Sequence, residues 1–366
     1  MFSHQLALSR STTSRDAERR LDPGLLEALA ADPATRVLLI DARGRVALTG
    51  PTKHPDLPDD GLTPPTLDDV WEGASPAAIE LPEISASALD LSGLTTLYLG
   101  CESGSGQAGR AQEGSASGTR WLAVVVPQEL EVPEAPRVPV GGADAEGAAA
   151  GHPDLRALLV RHPLSALRGV GAQMGARDAG LATAAAALAA WHAVSHHCPA
   201  CGGPTSIVQA GWARRCAVCG ALHFPRTDPA VIMSVTDDND RILLVHGAAW
   251  EKRRFSVVAG FVEAGESVEA AVVREVAEET GLAVASVEYV ASQPWPFPRS
   301  LMLGYRARLA PGQPLARPDG REVTDAVVVS REELTEAVAQ RRIVLPGATS
   351  IARLLIEDWY GGPIKG

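Results

Sequence analysis

Two cysteine pairs, Cys198-Pro199-Ala200-Cys201 and Cys216-Ala217-Val218-Cys219, constrain the fold of this chain more than any other feature. Each pair puts two thiols on one tight turn. Two such turns, fourteen residues apart, bring four thiolates around a single ion. Zn²⁺ suits a tetrahedral sulfur set, and a shell filled by protein ligands is structural. Gly202-Gly203 and Gly220 follow the pairs, where the chain has to turn sharply. Disulfide pairing is the competing reading. The opening Met1-Phe2-Ser3-His4-Gln5 has no export layout, and a reducing compartment disfavours disulfides. Cys101 stands alone and reads as a buried or incidental thiol. His192, His196 and His197 precede the first pair; with four cysteines already present they read as surface or hinge histidines.

A second feature carries chemistry. Residues 260–266 read Gly-Phe-Val-Glu-Ala-Gly-Glu, and residues 274–282 read Arg-Glu-Val-Ala-Glu-Glu-Thr-Gly-Leu. Glu275 and Glu279 are four apart and Glu275 and Glu278 three apart, so on a helix they share one face. Like charges so placed repel by about 0.2–0.5 kcal/mol per pair. A hard divalent cation offsets that repulsion and also takes phosphate oxygens. Arg274, one residue before the cluster, has a planar fork that can orient a glutamate through a bidentate pair. Gly260 and Gly265 let the loop fold tightly against the helix. A solvated acidic face is the plain alternative for three glutamates alone. Lys252, Arg253 and Arg254, just upstream, can meet phosphates or form a solvated basic cluster.

The chain has 366 residues, 46% hydrophobic, enough for two or three domains with cores of their own. Its net charge of −11 argues against a protein that coats nucleic acid. No apolar run is long enough to span a bilayer, so a cytoplasmic protein with no membrane partner is expected. The fold class expected is α+β and multidomain. A β-rich and then helical domain covers 1–195, a zinc ribbon 196–223 and an α/β/α sandwich 224–366. In the first domain, residues 37–40 and 45–48 flank a hairpin turn, and 94–99 and 121–126 read as further strands. Residues 102–119, rich in Gly, Ser and Ala, read as a flexible hairpin insertion, and 133–151 as an irregular separator. Asp178 is the expected N-cap of a helix over 181–194. In the third domain strands are expected at 230–236, 241–246, 284–291, 301–309 and 326–330. Gly281 should stop the acidic helix, and a last helix should run from about Ser350 to Trp359.

The spacing Gly260-x5-Glu266-x7-Arg274-Glu275-Val276-x-Glu278-Glu279-x-Gly281-Leu282 resembles the Nudix box at every fixed position. That resemblance implies hydrolysis of a nucleoside diphosphate linked to another moiety, with Mg²⁺ or Mn²⁺. Residues 292–300, Ser-Gln-Pro-Trp-Pro-Phe-Pro-Arg-Ser, are similar to the SQPWPFPxS signature of the NADH pyrophosphatases within that family. Physically this is a stiff segment. Three prolines hold it extended and present Trp295 and Phe297 as rigid aromatic surfaces, which can stack on flat bases, while Gln293 and the serines can donate or accept hydrogen bonds. An edge strand with core aromatics is the plain alternative. The zinc ribbon ahead of the hydrolase segment and residues 345–353 agree with the same group.

The resemblance implies metal ligands at Glu275, Glu279, the carbonyl of Ala259 and Glu322, with Glu278 sharing the cluster. One carboxylate, Glu279 or Glu278, acts as the general base. Substrate contacts are implied at Gln293, Pro294, Trp295, Pro296, Phe297, Pro298, Arg299, Ser300, Phe224, Ala352 and Arg168. Two departures stand out: Phe224 replaces a tyrosine, and Gly211 stands where some members carry a glutamate. The implied reaction splits NADH or NAD⁺ into nicotinamide mononucleotide and AMP, and removes NAD from the 5′ end of RNA. A homodimer is also implied. The alternatives are a hydrolase for another nucleoside diphosphate such as ADP-ribose, and a non-catalytic nucleotide-sensing zinc-ribbon regulator.

Overall fold

The computed structural model describes residues 6–49, 79–102, 118–130 and 152–365. The expected insertion at 102–119 lies almost wholly outside these residues, and the expected separator at 133–151 lies wholly outside them.

The N-terminal sheet has the strand order Thr13–Ser14, Thr95–Glu102, Arg120–Val125, Arg36–Ile40, Arg45–Ala47 and Leu164–Ala166. The short strand Ile84–Ser85 pairs with Arg36–Ile40. Alternation along Val37-Leu38-Leu39-Ile40 sends side chains to two different cores. Leu38 and Ile40 join Leu97, Leu99 and Trp121 against the helix Ala176–Val194. Val37 and Leu39 join Tyr98, Leu122 and Val124 against the helices Leu25–Ala31 and Pro153–Arg161. The sheet is therefore covered on both faces. The alanines of Ala176–Val194 let that helix lie close on the sheet.

Asp178 does not cap this helix. Gly175 holds the N-cap position, and Asp178 sits buried in the first turn. Its carboxylate accepts from the Leu81 amide at 2.9 Å and the Arg177 Nε at 2.6 Å, so a contact distant in sequence outweighs its capping preference.

Three short antiparallel strands form the middle module: Thr205–Val208, Ala213–Cys216 and Leu222–His223. The C-terminal sheet runs Val284–Trp295, Ser300–Leu309, Asp228–Thr236, Ile242–Gly247 and Val323–Val329, with Val258–Phe261 also paired to Asp228–Thr236. Val231, Met233 and Val235 face the helix Val268–Thr280, and Ile232 faces the helix Ile351–Tyr360. Ser267 caps Val268–Thr280 by accepting from the Ala270 amide, and Gly281 ends it at φ +70°. A helix at Arg331–Ala339 follows the last strand, set by a reciprocal Ser330/Glu333 capping box. This helix was not expected from the sequence, although Ser330-Arg331-Glu332-Glu333 carries its start signal.

The N-terminus links the two large domains. Leu6 is buried in the C-terminal core and Leu8, two residues on, in the N-terminal core. Ser9 Oγ donates to the carbonyl of Ser292 at 2.9 Å.

Gly211 fixes where the middle module meets the N-terminal sheet. It has φ +97°, and a Cβ there would lie 2.5 Å from Leu97 Cδ2 and 3.1 Å from Leu97 Cα. No glutamate could occupy this position without displacing the strand. Gly211→Ala should cost about 1–3 kcal/mol through overpacking and backbone strain. Thermal unfolding measures it, and an unchanged melting temperature would contradict the close approach.

Candidate active site and zinc centre

The loop 262–267 and the helix Val268–Thr280 are tied together by one guanidinium. Arg274 Nε and Nη2 donate to the two oxygens of Glu266, each at 2.8 Å. Nη1 donates to Glu275 Oε1 at 2.8 Å and Glu278 Oε2 at 2.9 Å, and Nη2 also reaches the Phe261 carbonyl at 2.9 Å. Glu266 Oε2 in turn accepts from the Glu263 amide at 3.0 Å. These bonds hold the Glu266 carboxyl well down, at about 2, chiefly through the paired Arg274.

Glu275 is buried beneath the strand Val258–Phe261. A Cβ on Gly260 would overlap its carboxyl group, so only glycine lets the strand bearing Ala259 approach. Glu279 is equally buried, whereas Glu278 is largely exposed. Burial pushes the Glu279 carboxyl up to about 8, and the charges of Glu275, Glu322, Asp319 and Glu278 add to the shift. Burial also raises Glu275, opposed by Arg274. These carboxylates thus lie near enough to raise one another, with Gly260 packed directly against Glu275. Among the described residues the four cysteines are the one group of three or more Cys, His, Asp or Glu side chains whose ligand atoms all lie within 4.8 Å of one another. The box carboxylates share a space without converging that closely. This suits a hard ion that keeps several of its own waters and takes the rest of its shell from phosphate.

Asp319 was not foreseen. It sits in the loop before strand Val323–Val329, and its backbone amide donates to the Glu279 carbonyl at 3.3 Å. No box spacing reaches it, because it lies beyond two intervening strands.

The residues 292–300 form the end of an edge strand and the turn that follows. Gln293, Pro294 and Trp295 pair with Met302, Leu301 and Ser300, so the strand runs past its expected end at Ala291. An edge position tolerates Pro294, which has no amide to donate. Trp295 and Phe297 meet edge to face, with centroids 5.1 Å apart, and both pack half-buried against the N-terminal core. The Phe297 ring reaches to 3.0 Å of where a Cβ on Gly44 would stand. Pro296 is buried and Pro298 exposed. Gln293 is fully buried; its amide donates to the Thr349 carbonyl at 2.9 Å and accepts from the Ile351 amide at 2.7 Å. Its hydrogen bonds hold the start of the last helix, where Ala352 is also buried. Arg299 donates to Asp228 at 2.6 Å. Phe224 is exposed, and Arg168 lies half-buried on the short helix Leu167–Val170 of the N-terminal domain.

At the cysteine cluster, Sγ atoms of Cys198 and Cys219 are 3.7 Å apart and those of Cys201 and Cys216 3.5 Å. Zn–S bonds of about 2.3 Å in a tetrahedron require S···S edges of about 3.8 Å, so the set fits zinc. The Cys219 and Val218 amides point at Cys216 Sγ, both at 3.4 Å, and draw that thiol down to about 6. His223 Nε2 lies 3.2 Å from Cys198 Sγ, a neighbour that spacing did not reveal. His192 is not a surface residue. It is buried, bonded to the Gly211 carbonyl at 2.8 Å and to Arg214 at 3.1 Å, and burial pushes it down to about 4.

Family models agree with this geometry. One described as NUDIX domain matches residues 226–347, and one described as NADH pyrophosphatase zinc ribbon domain matches residues 195–224. The chain carries a NUDIX domain behind a zinc ribbon. An NAD-capped RNA hydrolase NudC of Mycobacterium bovis is 45% identical over 201 residues, covering 53% of this chain and 64% of the relative. NAD-capped RNA hydrolase NUDT12 of Homo sapiens is 36% identical over 220 residues, covering 57% and 44%. The chain thus spans less than two thirds of these relatives' own length. Among solved structures, a NUDIX hydrolase from Nitrosomonas europaea aligns with 46% of this chain and 96% of its own. Its identity is 22% and its TM-score 0.36, too distant to add detail to the NUDIX fold.

Two outcomes test the site. Cys201→Ser should lower bound zinc and melting temperature together, measured by metal analysis and calorimetry; a variant unchanged in both removes the structural-zinc assignment. The second concerns pH. Glu279 binds its proton more tightly folded than unfolded, so between about 4.5 and about 8 the folded state holds the extra proton. Stability of the metal-free protein should therefore fall as pH rises through that window. Glu279→Gln should flatten the fall in a melting-temperature series, and an equally steep series would show the shift to be absent.

Proposed function

We propose that the protein hydrolyses the pyrophosphate bond of NADH or NAD⁺ to nicotinamide mononucleotide and AMP, and removes NAD from the 5′ end of RNA to leave a 5′-monophosphate. The observation that carries the reading is the shared space of Glu275, Glu279 and Glu322 beside Gly260, organised by Arg274. The zinc ribbon, the stiff Trp295–Phe297 turn and the relatives described as NAD-capped RNA hydrolases support the choice of dinucleotide.

In this reading Glu275, Glu279, Glu322 and the carbonyl of Ala259 hold Mg²⁺ or Mn²⁺, with Glu278 at the edge of the set. When bound, such an ion neutralises phosphate charge and lowers the pKa of a water. Arg274 fixes Glu275 and Glu278 in place, and Glu279 or Glu278 accepts the proton of the attacking water. The rings of Trp295 and Phe297, each still partly open, offer surface to a flat base. Phe224 adds an exposed ring without the hydroxyl of the tyrosine it replaces. The turn residues Pro298, Arg299 and Ser300, together with Ala352 and Arg168, shape the surroundings of the dinucleotide. Modules at 1–195, 196–223 and 224–366, a cytoplasmic location and a homodimer belong to the same reading. Among the described residues no helix is long and apolar enough to cross a membrane.

Product analysis by mass is the direct test, using NADH, NAD-capped RNA and ADP-ribose in turn with Mg²⁺ or Mn²⁺. Nicotinamide mononucleotide and AMP are expected from NADH. Glu279→Gln should reduce turnover at least about 100-fold with the fold intact. A marked preference for ADP-ribose would replace the dinucleotide assignment.

A further inference from the structure

The segment that carries Glu322 is held by backbone bonds from outside and by one side chain from within. Outside, the Arg317 amide donates to the Thr280 carbonyl at 2.8 Å and the Asp319 amide to the Glu279 carbonyl at 3.3 Å, so the segment hangs from the last turn of the box helix. The Ala248 amide donates to the Glu322 carbonyl at 2.9 Å and ties the segment to the end of strand Ile242–Gly247. Inside, Asp319 Oδ1 accepts from three successive amides: Arg321 at 3.1 Å, Glu322 at 3.1 Å and Val323 at 2.8 Å. Oδ2 lies 3.2 Å from the Glu322 amide. Gly320, at φ +73°, closes the loop by donating to the Val323 carbonyl at 2.9 Å.

These bonds matter because of what Glu322 lacks. Among the described residues its carboxylate has no ion pair or hydrogen bond to hold it, whereas Glu275 and Glu278 are both anchored on Arg274. An exposed glutamate samples several rotamers, so its reach depends on where its backbone is fixed. Asp319 fixes that backbone by placing one oxygen where three successive amides converge on it. A turn serving only to start a strand would not need to be hung from the carbonyl of Glu279, itself one of the box carboxylates.

We infer that Asp319 is a positioning residue, setting the loop 320–323 so that Glu322 can complete the divalent-cation site. The inference rests on the proposed role of Glu322 as a metal ligand. It acts through geometry and not through the added charge of Asp319. Outer partners of metal ligands are commonly worth 10–100-fold in metal affinity.

Mn²⁺ affinity of the purified full chain, read by electron paramagnetic resonance or calorimetry without substrate, tests this. Asp319→Asn keeps an oxygen at the Oδ1 position and loses the charge; Asp319→Glu keeps the charge and moves the oxygen off the amides. Asp319→Glu should weaken Mn²⁺ binding about tenfold, while Asp319→Asn stays within about threefold of the parent. The reverse pattern, or equal affinity in both, overturns positioning. A double-mutant cycle then separates the two layers. If Asp319 works through Glu322, Asp319→Glu should add nothing to the loss already caused by Glu322→Gln. Additive losses overturn the inference and leave Glu322 as a ligand. A Glu322→Gln variant with unchanged Mn²⁺ affinity overturns the ligand assignment itself.

Discussion

The acidic site depends on the guanidinium of Arg274. Without it, Glu266 of the loop and Glu275 and Glu278 of the helix would stand as uncompensated carboxylates, with Glu279 one turn beyond Glu275. Arg274 divides its donors among three of them and keeps one for the Phe261 carbonyl. A lysine could neutralise the charge but not span these directions, because a single ammonium lacks the planar fork. Arg274 does not reach Glu279, and there burial and like charge act unopposed. One cation thus leaves the cluster asymmetric: Glu266 stays ionised far below neutrality, and Glu279 is left to be completed by something else. A resident divalent ion is the simplest group that would hold it charged.

The second constraint is the seam between the N-terminal domain and the turn at residues 296–299. The helix Ala176–Val194 and Gly44 provide the surface on which Trp295 and Phe297 rest. Leu6 and Leu8 stitch the same seam from the chain's start. The N-terminal domain has no box of its own, yet it determines how stiffly those rings are held. Rings half-buried in a core have little rotameric freedom left to lose, so the turn presents them in one fixed orientation.

Local chemistry was legible in the sequence, and long-range placement was not. Cysteine spacing gave the ribbon, glutamate spacing gave the helix face, and Gly281 gave its end, because each is decided within a few residues. Asp178 misled for the opposite reason: its preference for a cap is local, but the Leu81 amide that claims it lies almost a hundred positions away. His192 misled in the same way, since only the fold brings the Gly211 carbonyl and Arg214 to it. Gln293 looked like a free polar group beside two aromatics, and the fold spends both ends of its amide on backbone near Thr349 and Ile351. The helix Arg331–Ala339 was a different kind of miss. Its capping signal was present but followed a run of valines that reads as strand to the end.

The zinc centre and the acidic site are joined by the chain itself. Strand Leu222–His223 leaves the ribbon beside Cys198, passes the exposed Phe224 and enters the sheet at Asp228. Asp228 accepts from Arg226 on its own segment at 2.7 Å and from Arg299 of the aromatic turn at 2.6 Å. That one carboxylate couples the exit of the ribbon to the turn bearing Phe297. Arg214, bonded to His192 and to Thr205, couples the ribbon's other side to the helix on which Phe297 rests. Held by zinc, the ribbon therefore braces the aromatic turn from two directions. A closed sulfur shell can in this way influence the placement of a turn outside its own module, because Asp228 on one side and Arg214 on the other carry charged contacts from the ribbon to the elements that hold Phe297.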